Sequence, residues 1–504
     1  MMEDRPVIVI GAGMGGLACG ALLAHEGFRV TVLEKQACPG GGLGSFTRDG
    51  TNFDIGAHTV FGFGAEGAFG QVCDRLGIRD SLMPRPLNAV TDGRNIFGRV
   101  YSGISDKFYD LLSGREAFEN YFSSRFPLQA GGLHDYLDCL YSVAGSVPVI
   151  GGRVPDVSNV SSLHSGKESL ADVLGRYIDD EELKYVLSWI TVYTGMPPEE
   201  SLFSLSALIT KLFIEESCQI RGGIPALRDA LVSAIEDNGG QVLSGHEVSS
   251  FLVSGHSVTA VLCGNGRIFP ASAVVSSMPL DVFLPMFSRS VKEEDKDIYA
   301  RWISRFRKKI DSRSGKSSMF SLFIKMKPCV PATVFDGVPL TFVASRDAGW
   351  PSRFTVIPYV QDGFAVSVQV HAAMSFDDVL PWASSVPGSR PAEYEKFKAS
   401  RSGRIMSLLD ALCPGFGEMA GKVWTSSPLT VRDWLGRTCG NVYGMLAVPE
   451  NGLPVISVRT PADNLFLAGE DVRFHGLCGV PATSIECVEA ILSEISREID
   501  LEAV

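Results

Sequence analysis

The chain has 504 residues, 45% hydrophobic and 20% charged, which suits a globular protein of two or three domains and excludes general disorder. Its net charge of -12 at pH 7 excludes non-specific binding of nucleic acid, which needs clustered cations. Eleven scattered cysteines show no zinc-site spacing, so no metal is expected, and free thiols suit a reducing compartment. Met1 to Arg5 run into the first strand with no secretory pattern, and no apolar stretch reaches the roughly 20 residues that span a bilayer. The expected location is the cytoplasm.

Val7 to Ile10 read as a strand buried on both faces, and apolar residues from Leu17 to Ala24 recur at helical spacing until Gly27. Between them Gly11, Gly13 and Gly16 make G-x-G-x-x-G: a tight turn, an open path for a pyrophosphate to the backbone, and close helix-strand contact. The helix start, with Met14 and Gly15, turns unpaired N-H groups toward the phosphates. Phe28 to Leu33 supply the second strand. Glu34 follows at about the ~20-residue offset where a carboxylate accepts ribose hydroxyls and repels a 2'-phosphate. After Glu34 and Lys35, Pro39-Gly40-Gly41-Gly42 forms a second stretch where backbone can lie against a ligand.

The run from Val7 to Gly42, followed by Phe53-Asp-Ile-Gly-Ala-His58, resembles the flavoprotein group of phytoene desaturases, carotenoid isomerases and retinol saturases, cousins of the amine oxidases. The resemblance implies an α/β fold: a Rossmann-type, glutathione-reductase-like FAD-binding domain with an inserted α+β substrate domain. It implies FAD as cofactor, with Gly41 and Gly42 passing the flavin's phosphate and ribityl portion. Many members carry arginine just after this cluster, where this chain has Leu43. His58 stands where saturase-like relatives also have histidine, and it could exchange a proton with a polyene carbon. The alternative is a hydrogen-bonding spacer.

Residues 1-85 form the first nucleotide-binding part. In 86-215, aromatics such as Phe97, Tyr101, Phe108 and Tyr109 sit at irregular helical spacing, and Tyr177 to Thr194 reads as one helix. This segment is expected to be a helical substrate lobe. Residues 216-285 return to the nucleotide domain. A glycine turn at Gly222-Gly223 opens a helix from Ala226 to Asn238, and strands follow at 241-243, 248-253, 258-263, 267-270 and 273-276. By the resemblance, Val248 receives the adenine and Gly222 and Gly223 sit beside the flavin.

Residues 286-415 read as the second insert, with strands at 318-326 and 364-370 flooring a substrate cavity. Arg301 to Ile310 make a basic helix with Trp302, Ile303, Phe306 and Ile310 on one face. Such a helix can lie on an anionic bilayer as a peripheral membrane contact, or pack on the body as an ordinary surface helix.

Residues 416-504 close the nucleotide domain. Leu465 to Ala468 read as a buried strand finishing beside the first glycine loop, Gly469-Glu470 as its turn, and Val480 to Ile495 as a helix. By the resemblance, Glu470 or Asp471 bonds the flavin's ribityl and phosphate portion, and the helix start at Gly479 and Val480 faces the pyrimidine carbonyl. His475, near Arg473, is a second candidate proton carrier, with a solvated loop as the alternative.

The implied activity is FAD-dependent chemistry on carbon-carbon bonds of an elongated hydrophobic small molecule: desaturation, saturation or isomerisation. The rivals are an amine, amino-acid or natural-product tailoring oxidase on the same fold, and a lipid-binding escort of the GDP-dissociation-inhibitor type. The escort has no physical need of Gly11, Gly13, Gly16, Glu34 and Glu470 together.

Overall fold

Strand β1 (Pro6–Ile10), helix α1 (Met14–His25) and strand β2 (Arg29–Leu33) form the opening unit. The helix starts at Met14, three residues before Leu17 where the expected apolar pattern begins, because Gly13 leaves the turn in an extended conformation and caps it. The computed structural model describes residues 5–56, 58–64, 67–86, 89–91, 94–147, 167–344 and 349–502, so Ala57 of the run ending at His58 lies outside the described residues.

Five parallel strands build the nucleotide-domain sheet, in the order Gln241–Leu243, β2, β1, Ala273–Ser276 and Leu465–Leu467. Three stretches of chain far apart in sequence therefore converge on one sheet. The closing strand is separated from β1 by Ala273–Ser276, but its Gly469 turn still reaches the glycine loop. A Cβ on Gly15 would come within 3.0 Å of the Gly469 Cα. The helices Gly223–Asp237 and Gly476–Glu502 pack on α1, whose residues Met14 to Ala24 are all buried.

The second layer is an eight-stranded sheet. Ser317–Met326, Phe364–Ser375 and Arg353–Gln361 are its antiparallel centre, close to the strands expected at 318-326 and 364-370. Its extent corrects the expected division of the chain. Within 86-215, Arg94–Ser102 and Lys107–Leu112 are strands of this sheet, with Tyr101 opposite Phe108 and ring centroids 5.1 Å apart. Their aromatics pair across strands instead of following a helix. At the other edge Ala420–Ser426 pairs with Ser317–Met326, so the sheet continues past residue 416. In the helical lobe the expected helix at 177-194 is broken: the Asp180 side chain accepts the Leu183 N–H at 2.8 Å and starts a new helix, Glu181–Leu187.

In the helix Lys296–Asp311 the apolar face packs on the body, the second of the two readings of this segment. Tyr299, Phe306 and Ile310 are buried in the nucleotide-domain core, Trp302 stacks on Phe306 at 4.8 Å, and Ile303 packs alongside. Each large apolar side chain so buried contributes roughly 1.5–3 kcal/mol. Turning this face to a bilayer would give up several such contributions, while Arg301, Ser304, Arg305, Arg307 and Lys308 face outward. Among the described residues no helix is long and apolar enough to cross a membrane.

Candidate functional site

A single cavity of about 1060 Å³ runs from the opening glycine turn to the space between the large sheet and the helical lobe. Its nucleotide end is built from backbone. Gly11 has φ +93, and a Cβ on Gly16 would lie 1.8 Å from the Gly11 carbonyl oxygen. Only glycines allow this turn. Gly13 has open space where its side chain would be, and Gly41 lies against it, a Cβ there falling 3.1 Å from the Gly13 Cα. The Gly40 N–H donates to the Ala12 carbonyl at 2.7 Å, locking the two glycine stretches together.

Glu34 is buried, and its carboxylate accepts the Ala12 N–H and the Gln36 N–H, both at 2.8 Å. It thus ties the turn to β2 while still lining the cavity beside Lys35, Glu247 and Val248. Val248 begins the strand Val248–Ser254, close to where the resemblance puts adenine. Gly11, Gly13, Met14, Gly15, Gly41, Gly42 and Leu43 also line the cavity. Gly16 does not, its task being the contact with Gly11.

The far side of this end separates the two candidate carboxylates. Asp471 is spent on the protein: it accepts the Leu280 N–H at 2.9 Å and pairs with Arg437 Nη1 at 3.0 Å. Glu470 pairs with Arg437 Nη2, but its side chain is 27% exposed against 7% for Asp471. Burial pushes the Glu470 carboxyl upward in pKa against the opposing pull of Arg437. Glu470 is the more available acceptor. Sequence reasoning missed Arg437, which has no motif around it. It also missed Trp434, whose ring N–H donates to the Gly41 carbonyl at 3.4 Å, laying this segment over the second glycine cluster.

Four expected placements change. Gly222 and Gly223 do not line the cavity; a Cβ on Gly223 would lie 3.8 Å from Asp54 Oδ2. Gly479 is internal, with the Phe474 carbonyl oxygen 2.1 Å from where its Cβ would be, whereas Val480 lines the cavity. The helix there begins at Gly476, earlier than the Val480 start expected. Nor is the loop around His475 solvated: Arg473 is buried and paired with Glu486 at 2.6 Å.

The floor of the other end is the large sheet. Met319, Ser321 and Phe323 from one strand, Thr355 and Ile357 from a second, and His371 and Ala373 from a third face the cavity at the period of two that a strand imposes. The helical lobe contributes Val192, Tyr193 and Ile209 to the opposite wall. His475 lines it with Nε2 2.6 Å from the Tyr193 carbonyl oxygen and its ring edge-on to Tyr443. Burial lowers its pKa.

His58 also lines the cavity, and it is connected. Its Nδ1 lies 2.7 Å from the Tyr359 hydroxyl, which donates to Asp54 Oδ2 at 3.1 Å. Its ring stacks on His371, centroids 4.4 Å apart and planes 24° from parallel. Burial lowers the pKa of both imidazoles, to about 4 for His371, and raises that of Asp54 to about 6. Tyr359 and His371 went unseen in the sequence. Pro358 interrupts the alternation of Arg353–Gln361, and His371 lies one residue past the expected end of its own strand.

A glycine-lined groove from a carboxylate at the end of β2 to a helix start matches what a long dinucleotide needs. A model of the flavin containing amine oxidoreductase family matches residues 14–302, more than half of the chain. The chain belongs to that family. This flavoprotein is 26% identical to all-trans-retinol 13,14-reductase of Macaca fascicularis, over 97% of this chain and 86% of the relative. It is 24% identical to prolycopene isomerase 1, chloroplastic, of an Oncidium hybrid cultivar, over 98% of this chain and 85% of that one. Its fold matches a putrescine oxidase triple mutant with TM-score 0.64 at 16% identity, covering 98% of this chain and 99% of the other. The resemblance to the retinol saturase and carotenoid isomerase group therefore holds along nearly the whole chain. The protein is an FAD-dependent oxidoreductase.

The residues present fit FAD. Gly13 and Gly42 leave open backbone with nothing where a Cβ would be, the first turn of α1 points N–H groups into the cavity, and Glu34 and Glu470 provide acceptors at separate places.

Proposed function

We propose that this flavoprotein acts on carbon-carbon bonds of an elongated apolar polyene or isoprenoid-like molecule. The observation that carries the proposal is the charge distribution of the cavity wall. Its carboxylates, Glu34, Glu247, Glu470 and Asp471, all belong to the nucleotide end, while Phe61, Val192, Ile209, Met319, Phe323 and Ile357 wall the other. An apolar chain there gains about 25 cal/mol per Å² removed from water, whereas an ammonium group would lose hydration with no carboxylate in the wall to pair with it. The names of the relatives, for retinol and prolycopene, support the same reading.

Bound FAD supplies two-electron, hydride-type chemistry at its ring. Glu34 would hold the adenosine ribose, the backbone at Gly13, Gly41 and Gly42 the phosphates, and Glu470 the ribityl portion. The apolar walls exclude water and align the chain. His58 holds or moves a proton at Nε2, and His475, fixed by the Tyr193 carbonyl, orients the wall beside it.

Anaerobic mixing of oxidised and reduced holoenzyme with retinoids and carotenoids tests the proposal. Flavin bleaching by substrate identifies desaturation, reoxidation identifies saturation, and a shifted polyene spectrum with unchanged flavin identifies isomerisation. The rival oxidase reading draws on the family description and the fold match. Peroxide release on adding amines, with no response to any polyene, would establish that reading instead.

A further inference from the structure

We propose that Asp54, Tyr359 and His58 form a proton relay in which the charge on Asp54 decides whether His58 offers the cavity a proton acceptor or a donor. The inference rests on the proposed carbon-carbon chemistry for its purpose, but the relay is defined by the protein alone.

The geometry supplies two alternative hydrogen-bond directions. With Asp54 ionised, the Tyr359 hydroxyl donates to Oδ2, 3.1 Å away, and its oxygen accepts from His58 Nδ1–H across 2.7 Å. The neutral imidazole then has a lone pair at Nε2, which has no protein partner among the described residues. With Asp54 protonated, the carboxyl donates to the Tyr359 oxygen and the Tyr359 hydroxyl donates to Nδ1, so the proton of His58 resides on Nε2. A proton removed from substrate carbon forms the Nε2–H bond. The Nδ1–H proton passes to the Tyr359 oxygen, and the Tyr359 proton passes to Asp54. One C–H bond is broken, one carboxyl O–H bond is formed, and the C–H electron pair stays with the substrate for the accompanying two-electron step. Delivery of a proton to carbon is the same sequence reversed.

The surroundings select this neutral route over an imidazolium. His58 is stacked on His371, a second positive charge there would be desolvated, and both rings are held below their ordinary pKa by burial. Asp54 is raised to about 6 by burial, opposed by the Tyr359 hydrogen bond and by Arg228 from the helix Gly223–Asp237. The groups facing the relay are thus Arg228, His371 and the relay members themselves. Positions are fixed from behind. The buried Gln369 amide, oriented to donate to the Asp54 carbonyl and accept its N–H, both at 3.0 Å, holds the Asp54 backbone on the sheet. Ser321 Oγ, 2.9 Å from His371 Nδ1, holds the stacking partner. His371 Nε2 has no partner among the described residues and is positioned to take a polar group of the ligand or a water.

The test is 15N NMR of histidine-labelled holoenzyme between pH 4.5 and 8, with the His58 ring assigned by its absence in His58→Gln. The expected result is a neutral ring throughout, protonated at Nε2 below about pH 6 and at Nδ1 above it. In Tyr359→Phe the tautomer stops following pH while flavin content is retained. A His58 tautomer that ignores pH in the wild type, or a ring that becomes imidazolium over this range, overturns the relay. The relay and the substrate reading fail separately: a tautomer switch in an enzyme inert to every polyene removes the substrate reading alone, and polyene turnover with a constant tautomer removes the relay alone.

Discussion

Gly15, at the start of α1, and Gly469, after the closing strand, meet backbone to backbone from opposite ends of the chain. A Cβ on Gly15 would lie 3.0 Å from the Gly469 Cα, 3.2 Å from its N and 3.4 Å from Val480 Cγ1. Gly469 itself has φ +108 and donates its N–H to Thr483 Oγ1 at 3.0 Å. The two halves of the groove are therefore joined through a close approach that glycine at 15 allows, with glycine at 469 favoured by its φ. Gly15→Ala should force these backbones apart, lowering the melting temperature and the flavin carried through purification. Gly27→Ala, at a position with open space around it but φ +87, should lower stability and leave flavin content per folded protein unchanged.

In the proposed cofactor site Glu34 would serve structure and ligand with the same two oxygens. Hydrogen bonds to a charged acceptor contribute about 1.5–3 kcal/mol each. Glu34→Gln places an amide group where one of the Ala12 and Gln36 N–H donors now points. FAD affinity should fall on the order of 10- to 100-fold, read by titrating apoprotein with flavin. An unchanged affinity would remove Glu34 from the cofactor site.

Glu470 and Asp471 should separate experimentally. Removing Asp471 leaves Arg437 buried with half its partners and the Leu280 N–H without its acceptor, so Asp471→Ala should destabilise by roughly 3–5 kcal/mol in a denaturant titration. Glu470→Gln, at the more exposed position, should cost much less stability but speed flavin release.

The raised Asp54 pKa gives pH dependence a definite sign. Its folded value of about 6 exceeds the ordinary carboxylate value of 3.8, so folding favours the protonated carboxyl. The stabilisation is fully present below about pH 4 and is lost as pH rises through 6. Asp54→Asn should therefore match the wild type near pH 4 and exceed it at pH 8 by about 1–3 kcal/mol, measured by denaturant melts at both pH values.

The same group sets a kinetic sign. If the enzyme removes a proton from substrate, single-turnover flavin reduction should rise with pH through about 6; if it delivers one, reoxidation should fall over that range. Tyr359→Phe should slow either step on the order of 100-fold. It should leave FAD content unchanged, as judged by single-turnover absorbance.

The opening unit, the second glycine cluster and the closing strand, and hence a dinucleotide groove, were legible in the amino-acid order, and FAD in particular was implied by the family resemblance these motifs carry. Their physics is local: a turn that excludes side chains, a helix start that exposes N–H groups, and a carboxylate at a set distance along the chain. Sheet periodicity likewise marked the strands near 318-326 and 364-370. Only the folded chain decided that Arg437 holds Glu470 and Asp471, that Phe306 and Ile310 pack inward, and that Asp54, Tyr359, His58 and His371 form one group. Each of these depends on strand register or helix docking between residues far apart in sequence. A one-residue slip of Arg353–Gln361 would turn Tyr359 to the other face, and no pattern within that strand records which neighbour awaits it.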